Sequence, residues 1–265
     1  MPVMDSAAEQ LGRIGRFEHG FARVQATEVV DFPWGYALLQ ADYPASWTHN
    51  RVVVTGSVAA EEVIGVADEV LGGAGLRHRQ VQFDDAGAGA AAAGAFGRAG
   101  YRNHERIVTM VHDGPLPEGD RALVEAVDFE DLRPWLIRDW RADFPDDPDH
   151  EIEQLADRVR LYERGAEVTF LAVRGRGGRV LARGELYRRD GVAQFENLIT
   201  LPDSRGRGYG RALVAEALHR SADDDVRYLI AEATGWPRRW YRRLGYVDRT
   251  EVHVFQRTPG SQAIS

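Results

Sequence analysis

The stretch Ser204–Val214, "SRGRGYGRALV", places glycines at 206, 208 and 210, arginines at 205, 207 and 211, and then an apolar run. Leu213, Val214, Ala217 and Leu218 share one helical face, so the spacing predicts a helix that opens among glycines and positive charge. A helix mouth of that kind offers N–H groups and the positive end of the dipole, and glycine lets a bulky anion approach the backbone. The stretch is a candidate phosphate cradle, with a plain strand-to-helix turn as the alternative.

Two familiar phosphate loops do not fit. A dinucleotide fingerprint needs G-x-G-x-x-G where this chain has G-x-G-x-G, although Glu232 stands near the end of the following apolar run, where a ribose ligand would sit. A Walker loop needs a lysine before serine or threonine, and the stretch has none.

Outward from the loop, "VAQFENLITLP" (residues 192–202) reads as a strand stopped by Pro202, and "VRYLIAEAT" (226–234) as the next strand. "PRRWYRRLGY" reads as a short helix closed at Gly245, followed by the strand "VDRTEVHVFQR". Upstream, "EVTFLAVRG" and "RVLARGELYRR" flank the glycine turn 175–178 as a hairpin. Before them come a short strand over 122–127 and helices over 131–143 and 152–163, joined by the acidic loop "PDDPDHE". Asp146, Asp147, Asp149 and Glu151 of that loop read either as part of a site for a cationic amine or as a solvated helix start.

The chain also rhymes with itself. "AFGRAGYRNHERIVTMVH" (95–112) answers "WYRRLGYVDRTEVHVFQR" (240–257), and "NRVVVTG", "SVAAEEVIGVADEVL" and "RHRQVQF" repeat the strand, helix, strand order around the glycine loop. The first copy has no glycine loop, and Phe96 stands where the second copy has Tyr241. The proline- and glycine-rich "DGPLPEGD" (113–120) marks the boundary.

Bulk properties exclude several classes. The 265 residues contain no cysteine, so thiolate chemistry and disulfides are absent, as suits a cytoplasmic protein. A net charge of −8 argues against nucleic acid as the main partner. The eight histidines show no metal spacing, and no apolar run is long enough for a bilayer. A soluble protein with no metal and no membrane partner is expected, its oligomeric state open and a homodimer included.

Arg205-x-x-Gly208-x-Gly210 after a strand ending in "LITLP" closely resembles motif A of the GNAT superfamily of N-acetyltransferases, and "WYRRLGY" resembles that family's [FL]-Y-x-x-x-G-[FY] signature. The resemblance covers roughly residues 121–257, with the amino-terminal half a worn copy. It implies an α/β fold with two tandem domains, each a mixed, mostly antiparallel sheet flanked by helices. The expected division is 1–117 for a degenerate, structural domain, 118–258 for a catalytic one, and 259–265 for a disordered tail.

The same resemblance implies acetyl-CoA as co-substrate and an unidentified amine as acceptor, with direct attack and no covalent enzyme intermediate. Its pyrophosphate would lie on Arg205, Gly206, Arg207, Gly208, Tyr209, Gly210 and Arg211. Backbone in Leu198, Ile199 and Thr200 would pair with the pantetheine arm in a splayed sheet. Tyr241 would be the acid for the departing thiolate, with a buried core aromatic as the alternative. Glu196 would take the amine's proton, with an ion pair to Arg183 as an equal alternative. The chain departs from the family at Thr234, where an asparagine is usual and where CoA contact is expected, and at Pro237, where the family has a small residue. A non-catalytic acyl-CoA-binding module is the other reading.

Overall fold

The computed structural model describes residues 6–258, so the expected tail 259–265 lies outside the described residues. Two compact units are formed. An amino-terminal unit gathers Ala22–Thr109, Ala231–Gly235 and residues from Thr250 onward; a carboxy-terminal unit gathers residues up to Phe21, Met110–Ile230 and Trp236–Arg249. The compact units interleave along the chain, with the change between Thr109 and Met110.

Helix α1 (Ala7–Gln25) explains part of that interleaving. Its Ile14, Phe17 and Phe21 are spaced three and four apart, and this stripe is buried against Tyr187, Val192, Val226 and Tyr228 of the carboxy-terminal unit.

The amino-terminal unit then runs β1 (Glu28–Phe32), β2 (Gly35–Leu39), β3 (Arg51–Val54), α2 (Ala60–Gly73), β4 (Arg79–Phe83), α3 (Ala86–Arg98) and all but the end of β5 (Asn103–His112). Its strands are ordered β1-β2-β3-β4, with β3 and β4 parallel and β1/β2 and β2/β3 antiparallel. The core is aromatic: Phe96 is fully buried, with ring centroids 5.6 Å from Phe83, 4.7 Å from Tyr101 and 4.5 Å from Phe255.

The carboxy-terminal unit contains β6 (Val124–Val127), α4 (Phe129–Asp143), α5 (Asp149–Asp157), β7 (Glu167–Arg174), β8 (Val180–Arg189), β9 (Val192–Thr200), α6 (Tyr209–Arg220), β10 (Val226–Glu232), α7 (Trp236–Arg243) and the start of β11 (Tyr246–Arg257). The end of β11 pairs antiparallel with β4, both within the amino-terminal unit. In the carboxy-terminal unit the order is β6-β7-β8-β9-β10, antiparallel except between β9 and β10. Each unit is thus a mixed, mostly antiparallel sheet with helices.

One expected helix is shorter than its periodicity. The run over 152–163 is α-helical only to Asp157 and tightens into a 3-10 helix over Arg158–Arg164, though Val159 and Leu161 stay buried. The tighter winding lets the Tyr162 carbonyl accept the N–H groups of Gly165 and Ala166, satisfying an orphan acceptor at the helix end.

Two irregularities in β9 shape its end. Pairing with β8 shifts register between Arg183 and Glu185, where Asn197 adopts a left-handed φ of 53° and forms a bulge. On the other side, registered pairs with β10 run only from Val192↔Val226 to Gln194↔Tyr228, although β9 continues to Thr200. Past Gln194 the two parallel strands part.

Candidate active site

Pro202–Ser204 makes one 3-10 turn after β9, and the chain then enters α6 through the glycines. Gly206 and Gly208 have φ of 76° and 83°, a region that costs a side-chain-bearing residue about 1 kcal/mol or more. Gly208 is the helix N-cap and supplies no side-chain cap. Among the described residues, the N–H groups of Gly206 through Arg211 donate no hydrogen bond, the first ladder bond at this mouth being Ala212 N–H to the Gly208 carbonyl at 3.0 Å. A Cβ added at Gly206 or Gly208 would meet nothing within 4 Å, so bare backbone faces open space. At Gly210 the added atom would lie 3.5 Å from the Trp240 ring and 3.9 Å from Leu198, which seats the helix on β9 and α7.

Arg205, Arg207 and Arg211 are exposed around this mouth. Arg205 Nε donates to the Thr200 carbonyl at 3.2 Å and Arg207 to the Asp203 carbonyl at 3.3 Å, while Arg211 has no hydrogen bond or ion pair among the described residues. The arginines of α7 behave differently: Arg238 and Arg242 share the single carboxylate of Asp248, which offsets one of their two charges. Unsatisfied donors and three exposed guanidinium groups, with Asp203 the carboxylate beside Arg207, fit a polyanion such as a pyrophosphate at this helix mouth.

Leu198, Ile199 and Thr200 are half-buried on the stretch of β9 beyond the last pair with β10. Thr234 is exposed in the short connection between β10 and α7.

Glu196 sits where the strands part. Its Oε1 accepts the Ile230 N–H at 3.0 Å and the Gln194 amide at 3.2 Å. Burial pushes its pKa up to about 8, with the charges of Glu18 and Glu185 adding to the rise and the two hydrogen bonds opposing it. The alternative of an ion pair with Arg183 fails: Arg183 donates to Glu185 at 2.6 Å, and that pair is buried, with Tyr187 and Asn197 completing the shell of Glu185. The register explains it, since Glu185 lies directly opposite Glu196 and its carboxylate claims the guanidinium two residues away on its own strand.

Tyr241 is held by its ring, 5.0 Å from Trp240 and 5.7 Å from Tyr246, while its hydroxyl makes no hydrogen bond among the described residues. Burial and then the Glu196 charge raise its pKa far above the usual phenol value, so it keeps its proton. Glu196 and Tyr241 are therefore close enough to sense each other, one a carboxyl poised near neutrality and one a protonated phenol.

Sequence reasoning missed Glu18, Glu185, Gln194 and Asn197. An asparagine inside a strand pattern was the only local hint, because asparagine tolerates positive φ. The acidic loop before α5 lies on the surface, with Asp149 bound to Arg141. Among the described residues no group of three histidine, aspartate or glutamate side chains could hold a metal ion, and no helix is long and apolar enough to cross a membrane.

Comparison with known proteins bears on this geometry. A search of curated proteins gives no match. Among solved structures, a conserved protein of unknown function from Staphylococcus epidermidis aligns over 89% of this chain and 95% of its own, with TM-score 0.69 and 12% identity. A GCN5-related N-acetyltransferase from Kribbella flavida aligns over 94% and 95%, with TM-score 0.61 and 19% identity. A tandem GNAT protein from the clavulanic acid biosynthesis pathway aligns over 87% and 80%, with TM-score 0.56 and 13% identity. At these identities the likeness is one of fold. The sequence itself matches the acetyltransferase (GNAT) family over residues 129–246, the span that runs from α4 through the glycine loop to Tyr246.

Proposed function

We propose that the carboxy-terminal unit is an N-acetyltransferase that moves an acetyl group from acetyl-CoA to a primary amine of a small molecule or peptide, within a ternary complex, and that the amino-terminal repeat is a degenerate structural partner. The observation that carries this reading is the α6 mouth, where unengaged N–H groups from Gly206 to Arg211 stand beside Arg205, Arg207 and Arg211.

Acetyl-CoA supplies an activated thioester: the amine forms the new C–N bond as the C–S bond breaks, and the amine loses a proton while the thiolate gains one. The chain's residues divide that work. Gly206 to Arg211 hold the pyrophosphate. The strand Leu198–Thr200, freed from β10, offers backbone donors to the pantetheine arm and the carbonyl. Glu196 takes the amine's proton directly or through water, and a carboxyl near pH 8 is matched to an amine at physiological pH. Tyr241, protonated throughout, donates to the sulfur. A base must be unprotonated to act, so turnover is expected to rise with pH through about 8.

Acetyl-CoA consumption against a panel of primary amines tests the reading. Thiol release that depends on an amine is expected, and it is abolished or strongly reduced in Glu196→Gln. Tight CoA binding with no thiol release on any amine would instead favour an acyl-CoA-binding regulatory module.

A further inference from the structure

Helix α1 precedes the first repeat in sequence, yet it brings a carboxylate to the chemistry of the second. The apolar stripe Ile14, Phe17 and Phe21 fixes its rotation, and Glu18 follows Phe17 on the same buried side. Glu18 Oε1 accepts the Tyr228 hydroxyl at 2.7 Å and the Gln194 amide at 3.0 Å. The same Gln194 nitrogen donates to Glu196 Oε1 at 3.2 Å. One amide group, with two hydrogens, thus joins two carboxylates, and its own oxygen is buried without a partner. That arrangement is expensive for a purely structural purpose, because it draws like charges together and leaves an acceptor unsatisfied.

We propose that Glu18 is a positioning residue for Glu196: with Tyr228 it fixes the Gln194 amide that orients the Glu196 carboxylate, and its charge sets how readily Glu196 holds a proton. As a statement about catalysis this rests on the reading of Glu196 as the base. The groups that face Glu196 are few. Gln194 lies on its own strand, Glu185 with its partner Arg183 on β8, Glu18 on α1, and the Ile230 N–H on β10. Phenols surround them: Tyr162, Tyr187, Tyr228, Tyr241 and Tyr246 all sense the Glu196 charge, and burial leads the rise of every one of their pKa values. Arg183 is committed to Glu185, while Arg158 and Arg227 act on the phenols Tyr162 and Tyr246. Removing the Glu18 charge therefore lowers the pKa of Glu196.

The test uses the full chain with carbon-13-labelled glutamate. The carboxyl resonance lost in Glu196→Gln identifies Glu196, and its titration is followed in wild type, Glu18→Gln and Glu18→Asp. The expected midpoint near 8 falls by about one unit in Glu18→Gln and stays close to wild type in Glu18→Asp, which keeps the charge. The acidic limb of turnover against pH shifts down by the same amount in Glu18→Gln and stays in place in Glu18→Asp; a loosened α1 would hydrate Glu196 and lower the limb in both variants, whereas loss of charge lowers it in Glu18→Gln alone. A midpoint that does not move in Glu18→Gln overturns the proposal. If the midpoint moves while Glu196→Gln keeps full turnover, the coupling stands and only the base reading beneath it falls.

Discussion

At the scale of single residues the contrast is between Tyr241 and Phe96, which occupy matching places in the two repeats. Phe96 is enclosed by Phe83, Tyr101 and Phe255, a position with no use for a hydroxyl. Tyr241 has comparable ring packing against Trp240 and Tyr246, but it carries a hydroxyl with no partner among the described residues. An unpartnered phenol beside a carboxyl costs stability unless something else receives its hydrogen bond. Tyr241→Phe preserves the ring and removes only the donor, so its effect separates packing from chemistry. The expected result is a turnover number lower by about 10² to 10⁴, with the dissociation constant for acetyl-CoA unchanged within a few-fold. Steady-state kinetics with a CoA titration reads both, and full turnover would return Tyr241 to a core aromatic.

Between elements, the decisive junction is the passage from β9 into α6. The glycine at 208 is required by its φ of 83°, while the space in front of it is open. Two substitutions use that difference. Gly208→Ala adds strain of about 1 kcal/mol but little bulk, whereas Gly208→Glu also sets a carboxylate among the N–H groups proposed to hold the pyrophosphate. If CoA binds as proposed, a hundredfold excess over its dissociation constant is expected to stabilise wild type by about 2.7 kcal/mol, and thermal shift to show that gain lost in Gly208→Glu and retained in part in Gly208→Ala. An undiminished CoA shift in Gly208→Glu would place the pyrophosphate elsewhere. This junction was legible in the sequence because glycine alternation, Pro202 and the apolar face of α6 are local signals. The strands β7 to β10 and the short helix α7 were legible for the same reason. The bulge at Asn197 was not, since its amide is held by Glu185 and Tyr187 from the neighbouring strand. The parting of β9 from β10 leaves no mark in either strand's own pattern. Helix α1 went unassigned because its stripe of three apolar residues is interrupted by charge, and only its packing partners give Glu18 a meaning.

On the scale of the whole chain, two repeats offer two helix mouths, and the question is how many hold CoA. Room does not decide it. The amino-terminal unit has an open cavity of about 570 Å³ whose lining includes Thr55, Ser57, Val58, Phe83, Asp85 and Ala88, at the ends of β3 and β4 where α2 and α3 begin. Charge and backbone decide it instead. Glu61 and Glu62 lie in the first turn of α2, Asp85 caps α3 by accepting the Ala88 N–H at 2.7 Å, and Glu62 is fixed by the Trp34 indole at 2.8 Å. Each carboxylate about 4 Å from a phosphate would cost about 1 to 4 kcal/mol, while Arg205, Arg207 and Arg211 act with the opposite sign at the other mouth. The lead-in to α2 contains Gly56 alone, where the lead-in to α6 has Gly206 and Gly208 with positive φ. Phe96, without a hydroxyl, also lacks the proton donor proposed for Tyr241. Calorimetry is therefore expected to give one CoA per chain, and Gly208→Glu to remove that single event. A stoichiometry near two, or CoA heat that survives in Gly208→Glu and is lost when Ser57 is replaced by tryptophan, would assign the nucleotide to the amino-terminal cavity and overturn its role as a scaffold.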